Sequence, residues 1–161
     1  MYDSGASIIE LQIPFSDPMA DGPSIMHANE VALAKGVRTK DCMQAMEKLS
    51  AKLDMPFLFM SYYNLLHSYG KKGLDGFLKD AQSSGAEGLI VPDVPFDLKR
   101  ENFAKKALSY KLTPIPLVSP VTPKKRLKEI SKVHDKGFVY CVATTGTTLS
   151  LIHISEPTRP C

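Results

Sequence analysis

Apolar residues along this chain fall into two alternating kinds of segment. Short runs at residues 8–13, 56–61, 88–91, 113–119 and 137–142 are nearly continuous in apolar side chains instead of alternating with polar ones. That is the pattern of parallel strands covered on both faces. Between the runs, apolar positions recur at three and four residues. Cys42, Met46, Leu49 and Leu53 form one such set, and Leu74, Phe77, Leu78 and Ala81 a second. Leu98, Phe103, Ala104, Ala107 and Leu108 form a third, and Leu127, Ile130 and Val133 a fourth. Each set covers one face of a helix. Thr39 is placed to cap the first helix, and Thr122 followed by Pro123 opens the last. Five strands and four crossover helices in strict alternation predict an α/β fold with a parallel sheet. Two architectures satisfy this pattern, an open doubly wound sheet and part of a TIM (β/α)8 barrel.

The loops bear on that choice. No GxGxxG follows the first strand and no Walker-type lysine motif occurs, so dinucleotide and P-loop sites lose their sequence support. Polar residues gather instead just after the strand ends: Ser16, Asp17 and Asp21, then Tyr62 and Asn64, then Asp93. Barrel enzymes place their chemistry at that end of the strands.

Composition narrows the class further. A chain of 161 residues, 43% of them hydrophobic, has enough apolar content for one core and not for two domains. The net charge of +3 is spread over 20 basic and 17 acidic residues, which excludes a dense nucleic-acid footprint. Lys124, Lys125, Arg126 and Lys128 read as the solvated face of a helix, and Lys105 and Lys106 likewise. Cys42, Cys141 and Cys161 form no CxxC pair and suggest a reducing compartment, with Cys42 and Cys141 as small buried hydrophobes. No apolar run is long enough to span a bilayer and no signal peptide is present, so a soluble cytoplasmic protein is expected. His27, His67 and His134 lack metal-ligand spacing, and no metal site is expected. Gly70 and Gly73 read as turn punctuation at a helix start.

Two positions carry candidate chemistry. Glu10 sits among Ile8, Ile9, Leu11 and Ile13, a carboxylate inside a strand that otherwise has every reason to be buried. Desolvation raises the pKa of such a group, so Glu10 is either a poised acid/base or a structural carboxylate paired with Lys or Arg. The chain then passes Pro14, Pro18 and Pro23, which argue for a stiff ordered loop. Asp17 and Asp21 in that loop are, by residue type alone, turn-formers beside Pro and Gly.

The stretch ELQIPFSDPMADGPSI at 10–25 resembles the signature of the tryptophan synthase alpha chain family. Further segments similar to that family follow in the same order: MSYYN at 60–64, GLIVPDVP at 88–95, PLVSPVTP at 116–123 and GFVYCVATTGTT at 137–148. The resemblance implies a partial TIM barrel, from its second strand to its sixth. It also implies aldol-type cleavage of indole-3-glycerol phosphate to indole and glyceraldehyde 3-phosphate. By the same resemblance Glu10 and Asp21 are catalytic, Glu10 as general acid then base and Asp21 as acceptor of the ring N–H, while Tyr62 lines the substrate pocket. Asp17, Pro18, Asp93 and Pro95 would face a beta chain in an alpha2-beta2 tetramer. No cofactor is implied for this chain, since pyridoxal phosphate belongs to the beta-chain partner. The alternative from another class is a non-catalytic interaction subunit that binds and activates a beta chain. The presence of both carboxylates favours the enzyme.

Some positions depart from the family pattern. Gln12 stands where a small residue, often Gly, is common, and is expected to crowd the pocket floor; Thr144 stands where Arg is common. Residues 149–161, LSLIHISEPTRPC, are expected to be a non-native tail after a partial barrel at 1–148. The units that hold the substrate phosphate in such barrels lie beyond the resemblance, so this stretch alone is expected to lack turnover.

Overall fold

The computed structural model describes residues 2–94, 103–132 and 137–142. The first four apolar runs become β1 (Ile9–Gln12), β2 (Phe57–Met60), β3 (Gly88–Ile90) and β4 (Thr113–Ile115). These strands are parallel and lie in the sheet in chain order. A doubly wound sheet reverses its order at a switch point. No reversal occurs across these four strands, so the chain winds as a barrel does.

The run at 113–119, expected as one strand, is two. Pro116 has no N–H to donate, and the ladder with β3 stops there. After it β5 (Leu117–Val118) pairs in parallel with β6 (Tyr140–Cys141). Pro116 still accepts: the Tyr140 N–H donates to its carbonyl at 2.9 Å, and Val142 N–H donates to Val118 O at 2.9 Å. The same run therefore holds β3 on one side and β6 on the other.

The helices are α1 (Pro23–Ala34), α2 (Thr39–Ser50), α3 (Tyr63–His67), α4 (Gly73–Ser83), α5 (Phe103–Ser109) and α6 (Lys124–Ser131). Four of them match the expected crossovers. The single turn of α3 and the three turns of α1 were not anticipated. The apolar residues of α1 are spread widely around its cylinder and leave no stripe to recognise; only Asn29 is buried. Pro23, read as loop, is the first residue of this helix, where a missing N–H costs nothing. Thr39 is likewise the first helical residue and not the cap. The preceding Arg38 N–H donates to the Asp41 carboxylate at 2.8 Å.

Strand residues sort by alternation into two apolar layers. Phe57, Phe59, Leu89 and Ile13 pack outward against Met46, Phe77, Leu78, Ala81, Phe103 and Ala107 of the helices. Leu58, Ile90 and Ile115 face the other way, with Met60, Leu117, Phe138 and Tyr140 against them. Large side chains buried in this way contribute about 1.5–3 kcal/mol each. Gly88, in the row of Leu58 and Thr113, has no room for a side chain: a Cβ would stand 2.6 Å from Thr113 O and 2.9 Å from Leu58 Cδ2.

Other expectations meet mixed outcomes. Leu108 and Leu127, assigned to apolar stripes, lie at their margins and are 43% and 42% exposed. Cys42 is buried as expected, whereas Cys141 is exposed because the described part of β6 has no layer covering that face. Lys106 is not merely solvated: its ammonium lies 2.8 Å from Asp75, which also accepts the Tyr110 hydroxyl at 3.0 Å, tying α4 to α5. Among the described residues no helix is long and apolar enough to cross a membrane. Leu98, Val133, His134, Thr144 and the 149–161 segment lie outside the described residues.

Candidate active site

Alternation along β1 places its polar residues on the inner side of the sheet. Ile9, Leu11 and Ile13 join the helix-facing layer. Glu10 and Gln12 lie between them, in register with the inward-facing Leu58 and Met60 of β2. Glu10 is not buried as expected but exposed, because β1 is the first strand of the sheet and has a neighbour on one side only. The protein around it still removes enough water to push its carboxyl above the usual carboxylate range. Among the described residues no Lys or Arg pairs with it.

Asp21 is 2% exposed. A backbone turn aims it, with Asp21 N–H donating to Pro18 O and Met19 N–H to Asp17 O, both at 2.9 Å. Its carboxylate does not serve the turn. Oδ2 accepts the Gln12 side-chain amide at 2.7 Å, and the Tyr62 phenol lies near enough for the Asp21 charge to raise its pKa. Gln12, expected to crowd the floor, finds a partner there instead.

Tyr62 follows β2 and is buried like Asp21. Its hydroxyl accepts the Ala20 N–H at 3.0 Å. Burial pushes the phenol well above its usual range, the Ala20 N–H opposes this, and the Asp21 and Asp93 charges add to it. The Tyr62 ring stacks on Phe15, centroids 5.2 Å apart and planes 29° from parallel. Phe15 is held in turn from α1. Its N–H donates to Asn29 Oδ1 at 3.3 Å, while Asn29 Nδ2 donates to Ile25 O at 3.0 Å.

Tyr140 of β6 completes the cluster. Burial raises its phenol, and the charges of Glu10 and Asp21 raise it further, which places all three in one electrostatic neighbourhood. Glu10, Gln12, Asp21, Tyr62 and Tyr140 thus come from two strands and two loops to one face of the sheet. Phe15, Asn29 and Tyr140 were not read from the sequence as site residues, and Gln12 was read only as a departure on the pocket floor.

The loop residues assigned to a partner interface behave differently. Asp17 is exposed and accepts the neighbouring Ser16 hydroxyl. Pro18 is buried within this chain instead of exposed, and its carbonyl accepts the Asp21 N–H. Asp93 is exposed, and both its oxygens accept the Tyr63 N–H, at 3.0 and 3.1 Å, capping α3. Pro95 lies outside the described residues. His27 and His67 are exposed, and among the described residues no three His, Cys, Asp or Glu side chains group as a metal site. Burial pushes the Cys42 thiol up to about 11, so it is no nucleophile at neutral pH.

The tryptophan synthase alpha chain family profile matches residues 1–158. The tryptophan synthase alpha chain of Caldanaerobacter subterraneus subsp. tengcongensis is 44% identical over 148 residues, covering 92% of this chain and 54% of that protein. A solved Mycobacterium tuberculosis tryptophan synthase structure superposes with a TM-score of 0.80 at 36% identity, over 91% of this chain and 55% of that one. The tryptophan synthase alpha chain of Legionella pneumophila gives a TM-score of 0.77 at 32% identity, over 87% and 51%. The chain spans about half the length of the relatives it matches. The match across 1–158, the sequential parallel strands and the inward carboxylates agree: this chain belongs to the tryptophan synthase alpha chain family.

Proposed function

We propose that these residues serve a cytoplasmic lyase that cleaves indole-3-glycerol phosphate to indole and glyceraldehyde 3-phosphate, the aldol-type step of tryptophan biosynthesis. The observation that carries this reading is the pairing of two carboxylates on one face in different environments. Glu10 is exposed and has a raised pKa, while Asp21 is buried and accepts the Gln12 amide.

The reaction needs a proton at the ring carbon that bears the side chain. Glu10, holding its proton to higher pH than an ordinary carboxyl, supplies it. The carbon–carbon bond then breaks, its electron pair returning to the ring as the neighbouring hydroxyl becomes a carbonyl. That hydroxyl gives up its proton to Glu10, which ends in the form it began. While the ring carbon is protonated, positive charge builds at the ring N–H. The Asp21 carboxylate accepts that hydrogen bond and stabilises the charge where it develops. Tyr62, stacked on Phe15, gives the pocket an aromatic wall.

A beta chain that receives the indole is the natural partner, with its pyridoxal phosphate on its own side. Asp17 and Asp93, exposed on loops beside the site, support contact there, and Pro18 shapes the loop from inside.

The test is Glu10→Gln in the full-length protein that contains these residues. Indole release should fall about a hundredfold to ten-thousandfold while substrate binding is retained, since proton transfer is lost and little volume changes. Near-normal turnover in the variant would remove Glu10 from the mechanism.

A further inference from the structure

Gln12 is placed by β1 on the inner face, in register with Met60, beside two groups that the proposed chemistry uses. Its amide nitrogen lies 2.7 Å from Asp21 Oδ2. Asp21 is 2% exposed, so water cannot replace that donor freely if it is lost. The turn through Pro18 fixes the Asp21 backbone but leaves the direction of the carboxylate open. A side-chain hydrogen bond from the Gln12 amide on the strand settles it, with the Tyr62 phenol nearby on the following loop. Tyr62 is itself pinned by the Ala20 N–H and by Phe15. Gln12 has no such support. Among the described residues its one recorded side-chain bond is to Asp21.

We propose that Gln12 is a positioning residue which, through its amide bond to Asp21 Oδ2, orients that carboxylate for the ring N–H of the substrate. This rests on the lyase reading and deepens it. A neutral amide suits the task, since it holds one oxygen without adding a charge beside Glu10. Its action is confined to the transition state, because the charge that Asp21 meets exists mainly there.

The experiment is a double-mutant cycle in the full-length protein that contains these residues, with indole release from indole-3-glycerol phosphate as the readout. Gln12→Met keeps length and volume and removes the donor. It should lower kcat by about 10- to 100-fold and leave KM within about twofold. In an Asp21→Asn background the same substitution should change kcat by less than about twofold, because the carboxylate it served is gone. Equal losses in both backgrounds, or a rise in KM alone, would overturn the proposal. If Gln12→Met does not fold, Gln12→Glu preserves the shape and puts a second carboxylate against Asp21. It should lose at least as much kcat, and wild-type turnover in that variant would equally overturn it. Absence of turnover in the unsubstituted protein would instead refute the lyase reading. The orienting bond is then read from thermal unfolding of the same four proteins: melting-temperature changes that fail to add support it, and additive ones overturn it.

Discussion

On the helix-facing side of the sheet, Phe57, Phe59 and Leu89 are enclosed by the mostly apolar side chains of α2, α4 and α5. On the opposite side, one residue along the same strands, Leu58 and Ile90 give way at the strand ends to Gln12, Tyr62, Asp21 and Tyr140, with Glu10 beside them. The first face gains from every apolar atom removed from water. The second holds polar groups in partial burial, where each must find a donor or acceptor and where ionisation is costly. Substitutions of the apolar residues should therefore be felt as lost stability, and those of the polar groups at the inner strand ends chiefly as lost turnover.

The strongest way to break this division lies on the outer face. Phe77 is fully buried and makes edge contacts with Phe59 and Tyr69, so Phe77→Ala should cost about 3–5 kcal/mol in unfolding free energy. Where the folded form survives, kcat should stay near the parent value. Denaturant titration with kinetics on the folded fraction checks both, and a large fall in kcat without loss of stability would erase the distinction.

On the inner face, Asp21→Asn should lower kcat about a hundredfold while raising KM only a few times, since the charge it meets develops in the transition state. A rise in KM alone would return Asp21 to a loop-shaping role. Steady-state assays decide this.

A smaller effect is expected where the scaffold is strained away from both faces. Lys111, at the turn from α5 into β4, has a φ of 61°, the left-handed region that costs a residue with a Cβ roughly 1 kcal/mol. Lys111→Gly should raise stability by up to about that amount and leave turnover unchanged, as read by paired thermal melts and assays.

The smallest expected effect sharpens the cost of the site itself. The folded protein raises the Glu10 pKa, so it binds more protons than the unfolded chain just above the ordinary carboxylate range, and stability falls as pH rises through that window. Glu10→Gln should flatten this pH dependence and raise the melting temperature near neutral pH by about 1–2 °C, a small shift because the side chain is exposed. A lower melting temperature at neutral pH would mean that the ionised Glu10 holds a stabilising partner.

The strands were legible because parallel strands with apolar layers on both sides leave continuous runs, and four helices because each buries one stripe. Helix α1 was not legible, since its apolar side chains are spread around the cylinder and its buried residue is the polar Asn29, which accepts the Phe15 N–H. The split at Pro116 was written in the residue type, but only the pairing shows that β3 and β6 lie on opposite sides of that run.

By itself the sequence determined the α/β alternation, the family, and the two carboxylates, because local periodicity and an ordered series of motifs need no third dimension. Tertiary structure decided how those residues meet. It ordered the strands without reversal, left Glu10 at an open edge instead of in a buried strand, and turned Asp21 from its loop toward Gln12 and Tyr62. It also brought Tyr140 to a site more than a hundred positions away in the chain. Side-chain partners and solvent exposure are set by the neighbours that folding brings together, and their distance along the chain leaves no local pattern to read.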